Sequence, residues 1–265
     1  MTTRSRRLNQ DAINDFRQIR LIATDMDGTL TQHGKFTPAL LHILTELFQA
    51  DLPVLIVTGR SAGWVQSVVH YLPVVGAIAE NGGVMWWGNG RNEEPQWLSS
   101  IAEVQIHRQK LRQMFQTLQQ EFPQIQESSD NLFRLTDWTF DVQGLSSETL
   151  KQMHDRCQAQ GFGFTYSTVQ CHIKPLEQDK AIGLEKVLQQ DFPELDLTQV
   201  VTVGDSPNDE SLFDSRSFPL SVGVANIQDY LDRLTHQPTY ITQASEIDGF
   251  CELANWVLMA TAGKI

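Results

Sequence analysis

Five short, mostly apolar runs that show no alternation of apolar and polar residues constrain the fold of this chain most strongly. They are LIAT at 21–24, VLIVT at 54–58, GAIA at 76–79, VVTVG at 200–204 and LSVGVA at 220–225. Each has the length of a strand and lacks the alternation of a half-exposed strand, so each is expected to be buried on both faces. Such strands are typical of parallel sheets that helices cover. We therefore predict an α/β fold with a Rossmann-like parallel-sheet core and helices on both of its faces.

The alternation of strand and helix breaks near residue 86, and an Asn89–Gly90 turn and a polar stretch follow. After it the pattern predicts a helix at about 103–121, strands near 124–127 and 132–142, a helix at about 147–160, and strands at 162–167 and 170–174. This is helix–strand–strand, twice. We predict an inserted α+β domain at 89–174, and a catalytic core formed by residues 1–88 and 175–265. The first 18 residues are interpreted as a polar or helical extension without an assigned function.

Composition excludes several classes of protein. The formal net charge of −12 argues against a nucleic-acid partner, which would need a basic surface. No apolar run approaches the ~20 residues that a membrane helix requires, and no apolar segment typical of a secretory signal follows the basic N-terminus. The three cysteines are widely spaced, which predicts neither a disulfide framework nor a thiolate metal site. A cytoplasmic protein is expected, and nothing in the sequence determines its oligomeric state.

Polar side chains follow the predicted strands. In an open parallel sheet, ligands bind beyond the carboxyl ends of the strands. Along this edge we expect Asp25, Asp27, Thr58, Asn81 and Asp205, with Asp209 nearby. Converging carboxylates without soft ligands predict a site for a hard divalent cation, and Mg²⁺ fits best.

Two other interpretations exist for the Asp25–Asp27 pair. A calcium loop that starts at Asp25 would need an oxygen ligand, Gly and Glu where Thr29, Leu30 and Phe36 stand, so that interpretation fails. A solvated turn remains open on this segment alone.

Lys180 lies at the predicted start of a helix, where the helix dipole disfavours a cation. Its position is better explained if an anion lies between it and the helix, although an ordinary surface lysine is the alternative. Together with the carboxylates, Lys180 suggests metal-assisted phosphoryl transfer through an aspartate nucleophile.

The chain resembles the haloacid dehalogenase superfamily in four motifs that occur in the expected order. They are DMDGT at 25–29, VTGR at 57–60, Lys180, and GDSPND at 204–209. The long insert and the AENGG segment at 79–83 resemble the sugar-phosphate phosphatase branch, including Cof-type enzymes, in which an α/β cap covers the active site.

The resemblance implies a role for each residue that matches a motif. Asp25 becomes the nucleophile and a metal ligand. Asp27 becomes the general acid and base, and a metal ligand through its backbone carbonyl. The phosphoryl group would be bound by Thr58, Gly59, Lys180 and Asn208, and the metal by Asp205 and Asp209. The implied function is that of a Mg²⁺-dependent phosphomonoesterase that hydrolyses a small phosphorylated metabolite, a sugar phosphate, through an aspartyl-phosphate. The alternatives are a phosphomutase or phosphotransferase on the same scaffold, and a catalytically silent binding protein.

Five further residues are candidates for substrate specificity. Arg60 and Asn81 lie beside the core motifs, although Arg60 could equally pair with a surface carboxylate. In QCHIKP at 170–175, alternation places Gln170, His172 and Lys174 on one face. Arg134 is the remaining candidate. For the three candidates of the insert, a solvated strand face is the alternative.

Overall fold

The computed structural model describes residues 5–88, 90 and 94–262. Asn89, half of the predicted Asn89–Gly90 turn, lies outside the described residues. In chain order the strands are β1 Arg6–Arg7, β2 Leu21–Thr24, β3 Val54–Val57, β4 Gly76–Ala79, β5 Val84–Trp87, β6 Gln96–Trp97, β7 Trp138–Asp141, β8 Phe162–Tyr166, β9 Gln170–Pro175, β10 Val200–Gly204, β11 Leu220–Gly223 and β12 Tyr240–Ile241. The helices are α1 Ile13–Phe16, α2 Pro38–Gln49, α3 Ala62–Val68, α4 Val104–Glu121, α5 Ser147–Ala159, α6 Lys180–Asp191 and α7 Glu246–Thr261.

A large sheet forms the main unit, with the order β1-β12-β11-β10-β2-β3-β4-β5-β6 among the described residues. The strands from β1 to β4 in this order are parallel, and β5 and β6 are added antiparallel. All five apolar runs of the sequence form strands of this sheet. The predicted α/β fold class is confirmed.

Helices cover both faces of the sheet. Successive side chains of each strand point to opposite sides, so each strand packs against helices on both faces. Ile22 of β2 packs in one hydrophobic cluster with Leu44 of α2 and Phe250 of α7. Its neighbour Ala23 packs in another with Leu184 of α6. Double burial explains why the sequence of β2 lacks the alternation of a half-exposed strand.

A smaller antiparallel sheet has the order β7-β9-β8, and α4 and α5 share a separate hydrophobic cluster with it. We call the segment from α4 to β9 the insert. The two helices and strands β8 and β9 lie where the sequence predicts them. The assignment of the inserted domain to residues 89–174 stays a prediction, and β6 lies within that range although it pairs in the large sheet.

One predicted part of the insert is wrong. Residues 124–127 contain only an isolated bridge from Glu127 to Phe140, and residues 129–133 form a 3₁₀-helix. The side chain of Asn131 bonds the backbone of Ser128 and Thr139, so it replaces the ladder that a strand would form here. The helix–strand–strand pattern is therefore not repeated.

The N-terminal segment is not a loose extension over its described residues. Strand β1 pairs with β12, and Leu8, Ala12 and Phe16 are fully buried in the main core. The segment therefore completes one edge of the large sheet. Among the described residues, no helix has the length and apolar character needed to cross a membrane.

Candidate active site

The carboxyl ends of four adjacent parallel strands carry the polar residues singled out in the sequence. Asp25 follows β2, Thr58 follows β3, Asn81 lies two positions after β4, and Asp205 follows β10. Gly28, with a φ of +82°, lets the chain turn back beneath this edge. A Cβ atom there would lie 2.4 Å from Asp205 Oδ2, so the glycine allows the two loops to touch.

Three buried carboxylates form a compact cluster at this edge. Asp25, Asp205 and Asp209 can each offer an oxygen such that the three atoms lie within 4.8 Å of one another. Asp209 belongs to a 3₁₀-helix, Pro207–Phe213, that Ser206 caps. Its Oδ2 accepts hydrogen bonds from the backbone N–H groups of Asp205 (2.9 Å) and Ser206 (3.0 Å), which fixes its orientation. Oxygen donors at this spacing suit a hard divalent cation.

Lys180 lies beside the carboxylate cluster and is fully buried, so it is not the surface lysine of the alternative interpretation. Its Nζ donates to Asp25 Oδ1 at 2.5 Å and to Asp209 Oδ1 at 2.6 Å. Burial alone would lower the pKa of Lys180, but the Asp209 and Asp25 carboxylates raise it above its ordinary value. The ammonium group therefore stays charged between its two partners.

Burial and mutual repulsion disfavour the charged forms of Asp25 and Asp205. Burial raises the pKa of Asp25 to about 7, against the opposing effect of the Lys180 ammonium. Burial and the neighbouring Asp25 and Asp209 carboxylates also raise the pKa of Asp205 well above its ordinary value. One lysine does not offset three buried acids, which leaves a place for a further cation.

The side chain of Asp27 is not part of the carboxylate cluster, although it lines the same cavity as Asp25, and it forms an ion pair with Arg60. Arg60 Nε donates to Asp27 Oδ2 at 2.6 Å, and Nη2 donates to Oδ1 at 2.5 Å. The hydrogen bond to Asp27 raises the pKa of Arg60, although burial opposes it. The partner of Arg60 is thus an active-site carboxylate rather than a surface one.

Thr58, Gly59 and Asn208 line the same cavity as Asp25, and Asn81 contacts Asn208 from outside that lining. Asn208 Nδ2 donates to Asn81 Oδ1 at 3.1 Å. The buried Asn81 Nδ2 has no hydrogen-bond partner among the residues that the structure describes. An unpaired buried donor is costly, so this amide is a candidate for contact with a bound ligand.

The solvated-face alternative is wrong for His172, Lys174 and Arg134, all of which are buried. His172 Nδ1 lies 2.8 Å from Asp137 Oδ2, and Asp137 also pairs with Arg134 at 3.0 Å. Burial lowers the pKa of His172 despite the Asp137 carboxylate, so a neutral ring is favoured. Lys174 instead bonds the carbonyl of Gln178, and burial lowers its pKa.

A cavity of about 20 Å³ remains where the insert meets the core. It is lined by Asp25, Asp27, Thr58, Gly59, Arg60, Ser206 and Asn208 of the core and by Ser167, Val169, Gln170 and His172 of the insert. Lys174 and Arg134 do not line it. Sequence reasoning missed Ser167 and Val169, which carry no motif, and also Asp137 and Glu80. Glu80 lies in the AENGG segment, which was the one available signal.

A cavity of this size holds about one water molecule. A phosphoryl group has four heavy atoms and is larger than one water molecule, so the gap between insert and core is narrower here than a substrate requires.

The chain is similar to known phosphatases over nearly its whole length. The model of the sucrose-6F-phosphate phosphohydrolase family matches residues 18–256. The chain is 25% identical over 254 residues to the phosphoglycolate phosphatase of Methanothrix thermoacetophila. The alignment covers 93% of this chain and 100% of that protein.

Two solved structures share the fold. A Thermoplasma acidophilum protein matches with a TM-score of 0.71 and 20% identity, over 90% of this chain and 98% of that one. The sucrose-phosphatase of Synechocystis, solved with sucrose and phosphate, matches with a TM-score of 0.67 and 16% identity, over 91% of this chain and 98% of that one. Because the family model spans nearly the whole chain, this protein belongs to the sucrose-6F-phosphate phosphohydrolase family, and its recognition as a phosphatase of the haloacid dehalogenase superfamily is confirmed.

Proposed function

We propose that this phosphatase hydrolyses a small sugar phosphate with the help of Mg²⁺, using Asp25 as its nucleophile. The observation that carries the proposal is the cluster of Asp25, Asp205 and Asp209, in which the buried ammonium of Lys180 donates to Asp25 and Asp209. This arrangement combines a carboxylate nucleophile, a hard-cation site and a fixed positive charge for a phosphoryl oxygen.

The donor set supports Mg²⁺ as the metal. The three side chains offer only carboxylate oxygens, and Mg²⁺ prefers few such ligands together with water and substrate oxygens. The Asp27 side chain is held by Arg60, which is consistent with a contribution from the Asp27 carbonyl instead. When bound, the ion would offset negative charge on the transferring phosphoryl group.

Hydrolysis of the phosphate ester would proceed in two steps. In the first, a carboxylate oxygen of Asp25 attacks phosphorus and forms an oxygen–phosphorus bond while the ester P–O bond breaks; Asp27, released from its ion pair with Arg60 and protonated when substrate binds, gives its proton to the leaving oxygen. In the second, water attacks phosphorus, Asp27 takes the proton, and phosphate leaves Asp25. Lys180, Thr58 and the unpaired amide of Asn81 would hold the phosphoryl oxygens.

The leaving group would contact the residues of the insert that line the cavity. Ser167 and His172 offer a hydroxyl and a neutral ring, which suits the hydroxyl groups of a sugar. The Gln170 amide, by contrast, is already bonded to Arg134 and Asp130. A second candidate substrate is phosphoglycolate. It is favoured by the phosphoglycolate phosphatase named above, and by Arg60, whose guanidinium lines the cavity and would pair with a substrate carboxylate.

Release of inorganic phosphate from a panel of substrates with Mg²⁺ tests the proposal. The panel contains sucrose-6F-phosphate, hexose phosphates, phosphoglycolate and p-nitrophenyl phosphate. We expect phosphate release with the highest kcat/KM on a sugar phosphate. A preference for phosphoglycolate would select the second candidate. An isomerised product without phosphate release would indicate a mutase, and no turnover of any substrate would contradict the enzyme assignment.

A further inference from the structure

Glu80 is a fully buried acid outside the phosphoryl-transfer machinery, and its side chain joins the insert to the core. Its two carboxylate oxygens accept hydrogen bonds from Ala62 N–H at 2.9 Å, Leu135 N–H at 3.0 Å, and Thr136 N–H and Oγ1 at 2.5 and 2.7 Å. Ala62 begins α3 in the core, whereas Leu135 and Thr136 precede β7 in the insert. The Glu80 carboxylate thus accepts hydrogen bonds from both the core and the insert.

The backbone around Glu80 is fixed to the loop beside the nucleophile. Glu80 N–H donates to the Arg60 carbonyl at 3.0 Å, and Asn81 N–H donates to the Thr58 carbonyl at 2.9 Å. Glu80 and Asn81 have φ values of +55° and +53°, a region that costs energy for residues other than glycine. The surrounding contacts maintain this strained turn directly against Thr58–Arg60.

The same cluster reaches both segments that connect the insert to the core. Gln178 Nε2 donates to the Glu80 carbonyl at 2.6 Å and to Thr136 Oγ1 at 3.0 Å. Gln178 Oε1 accepts from Ser99 Oγ at 2.6 Å. Ser99 precedes the insert and Gln178 follows it. A Cβ atom at Gly83 would lie 2.0 Å from Thr136 Oγ1, so the backbones are packed closely here.

The segment that Glu80 holds carries two contacts to the active site. Arg134 Nη1 donates to the Gly59 carbonyl at 2.9 Å. Asp137 orients His172, whose ring lines the catalytic cavity. The position of residues 134–137 therefore sets both the phosphate-binding loop and His172.

A buried carboxylate is a costly choice for a contact that only stabilises the fold. Apolar residues of similar volume often serve as well or better where a buried charge has no further role. Glu80 also adds a negative charge near Asp137, and burial together with Asp137 raises its pKa. The cost is easier to explain if the directional hydrogen bonds matter for geometry.

We propose that Glu80 is a positioning residue that serves as the fixed pivot of the insert: it aligns residues 134–137 against Thr58–Arg60, and through them it places His172 and Gly59. The insert must move to admit substrate. Because Glu80 lies beside both connecting segments, its hydrogen bonds stay closed while the far segment, residues 167–170, swings away from Asp27 and Asn208. The inference rests on the proposed active site.

Thr136 provides the sharpest kinetic test, since loss of its hydroxyl removes one hydrogen bond to Glu80 and one from Gln178 and leaves the carboxylate in place. Thr136→Val removes the hydroxyl, and Thr136→Ser restores it. Thr242→Val is the matched control, because Thr242 is equally buried, donates one hydroxyl bond to the Ala244 carbonyl at 2.7 Å and lies outside the active site. For each variant, kcat and KM for p-nitrophenyl phosphate with Mg²⁺ are measured with the melting temperature.

We expect Thr136→Val to lower kcat/KM roughly tenfold, mainly through kcat, as misplaced catalytic groups do. Thr136→Ser should keep near wild-type kinetics, and Thr242→Val should lower only the melting temperature. Glu80→Gln should lower kcat by up to ~10²-fold where it folds. If Thr136→Val and Thr242→Val have the same kcat and KM, Glu80 is only structural and the inference fails.

Hydrogen exchange distinguishes a Glu80 contact that stays closed while the insert moves from one that opens with the insert. With and without inorganic phosphate, the Leu135 and Thr136 amides should stay protected, whereas the Val169 and Gln170 amides should exchange faster without phosphate. Equal, rapid exchange at all four amides would refute the pivot. If the wild-type enzyme releases no phosphate, the proposed function fails, while the exchange pattern still tests the pivot.

Discussion

Replacing Lys180 with methionine removes the ammonium group that two buried carboxylates share and keeps most of the side-chain volume. Lys180 Nζ lies 2.5 Å from Asp25 and 2.6 Å from Asp209, and all three side chains are buried. Removing one partner from a buried ion pair typically destabilises a protein by about 3–5 kcal/mol, since the other charge stays unpaired. At this chain length that corresponds to a melting temperature lower by roughly 6–20 °C.

The loss should depend on pH and on metal. Without Lys180 the repulsion between the carboxylates should be greatest at pH 8 and weaker at pH 5, where Asp25, whose pKa is raised to about 7, takes up a proton. Mg²⁺ should recover part of the stability of Lys180→Met by replacing the missing positive charge. Turnover should still fall strongly, because no ammonium remains to hold the phosphoryl oxygen.

Thermal unfolding of the metal-free protein at pH 5 and 8, with and without Mg²⁺, measures these effects. Lys151→Met is the control. Lys151 pairs with Asp155 at 2.8 Å, but both side chains are exposed, so the melting temperature of this variant should equal that of the wild type. If the melting temperature of metal-free Lys180→Met at pH 8 equals that of the wild type, or if turnover is unaffected, the account of this cluster is wrong.

Four other predictions concern the same site. Asp25→Asn should abolish phosphate release while leaving the protein folded, because Lys180 keeps Asp209 as a buried partner; activity near the wild-type level would contradict the role of Asp25 as nucleophile. EDTA should stop turnover and Mg²⁺ restore it, whereas Ca²⁺ should inhibit because its looser coordination misplaces the reacting groups; best recovery with Zn²⁺ in a phosphate-release assay would contradict a hard-oxygen site. The metal-free protein should lose stability as the pH rises from about 4 to about 7, because the pKa of Asp25 is raised from 3.8 to about 7 in the folded state; a melting temperature that increases over this range without metal would contradict that shift. His172→Ala should raise KM for the preferred substrate and spare p-nitrophenyl phosphate, and equal losses on both substrates would show that His172 does not read the leaving group.

The sequence predicts the main sheet well, because the periodicity of apolar residues reports local burial directly. A run such as LIAT lacks the alternation of a half-exposed strand because both faces of the strand are covered. The spacing of Asp25, Asp205 and Asp209 after such runs also indicates which end of the sheet carries the chemistry. Strand patterns fail at residues 124–133, where the side chain of Asn131 takes over the backbone hydrogen bonds and no periodicity records it.

The tertiary structure alone decides which of the polar residues face one another. Lys180 and Asp25 are 155 positions apart in the chain, and their contact depends on the packing of α6 behind β2. The pairing of Arg60 with Asp27 and the burial of His172 against Asp137 follow from the docking of loops and of the insert. Glu80 is the clearest case, since its partners Leu135 and Thr136 lie more than fifty positions away. Local patterns report how deeply a residue is buried, whereas the partner of a buried charge is set by contacts between distant segments, which composition and spacing do not encode.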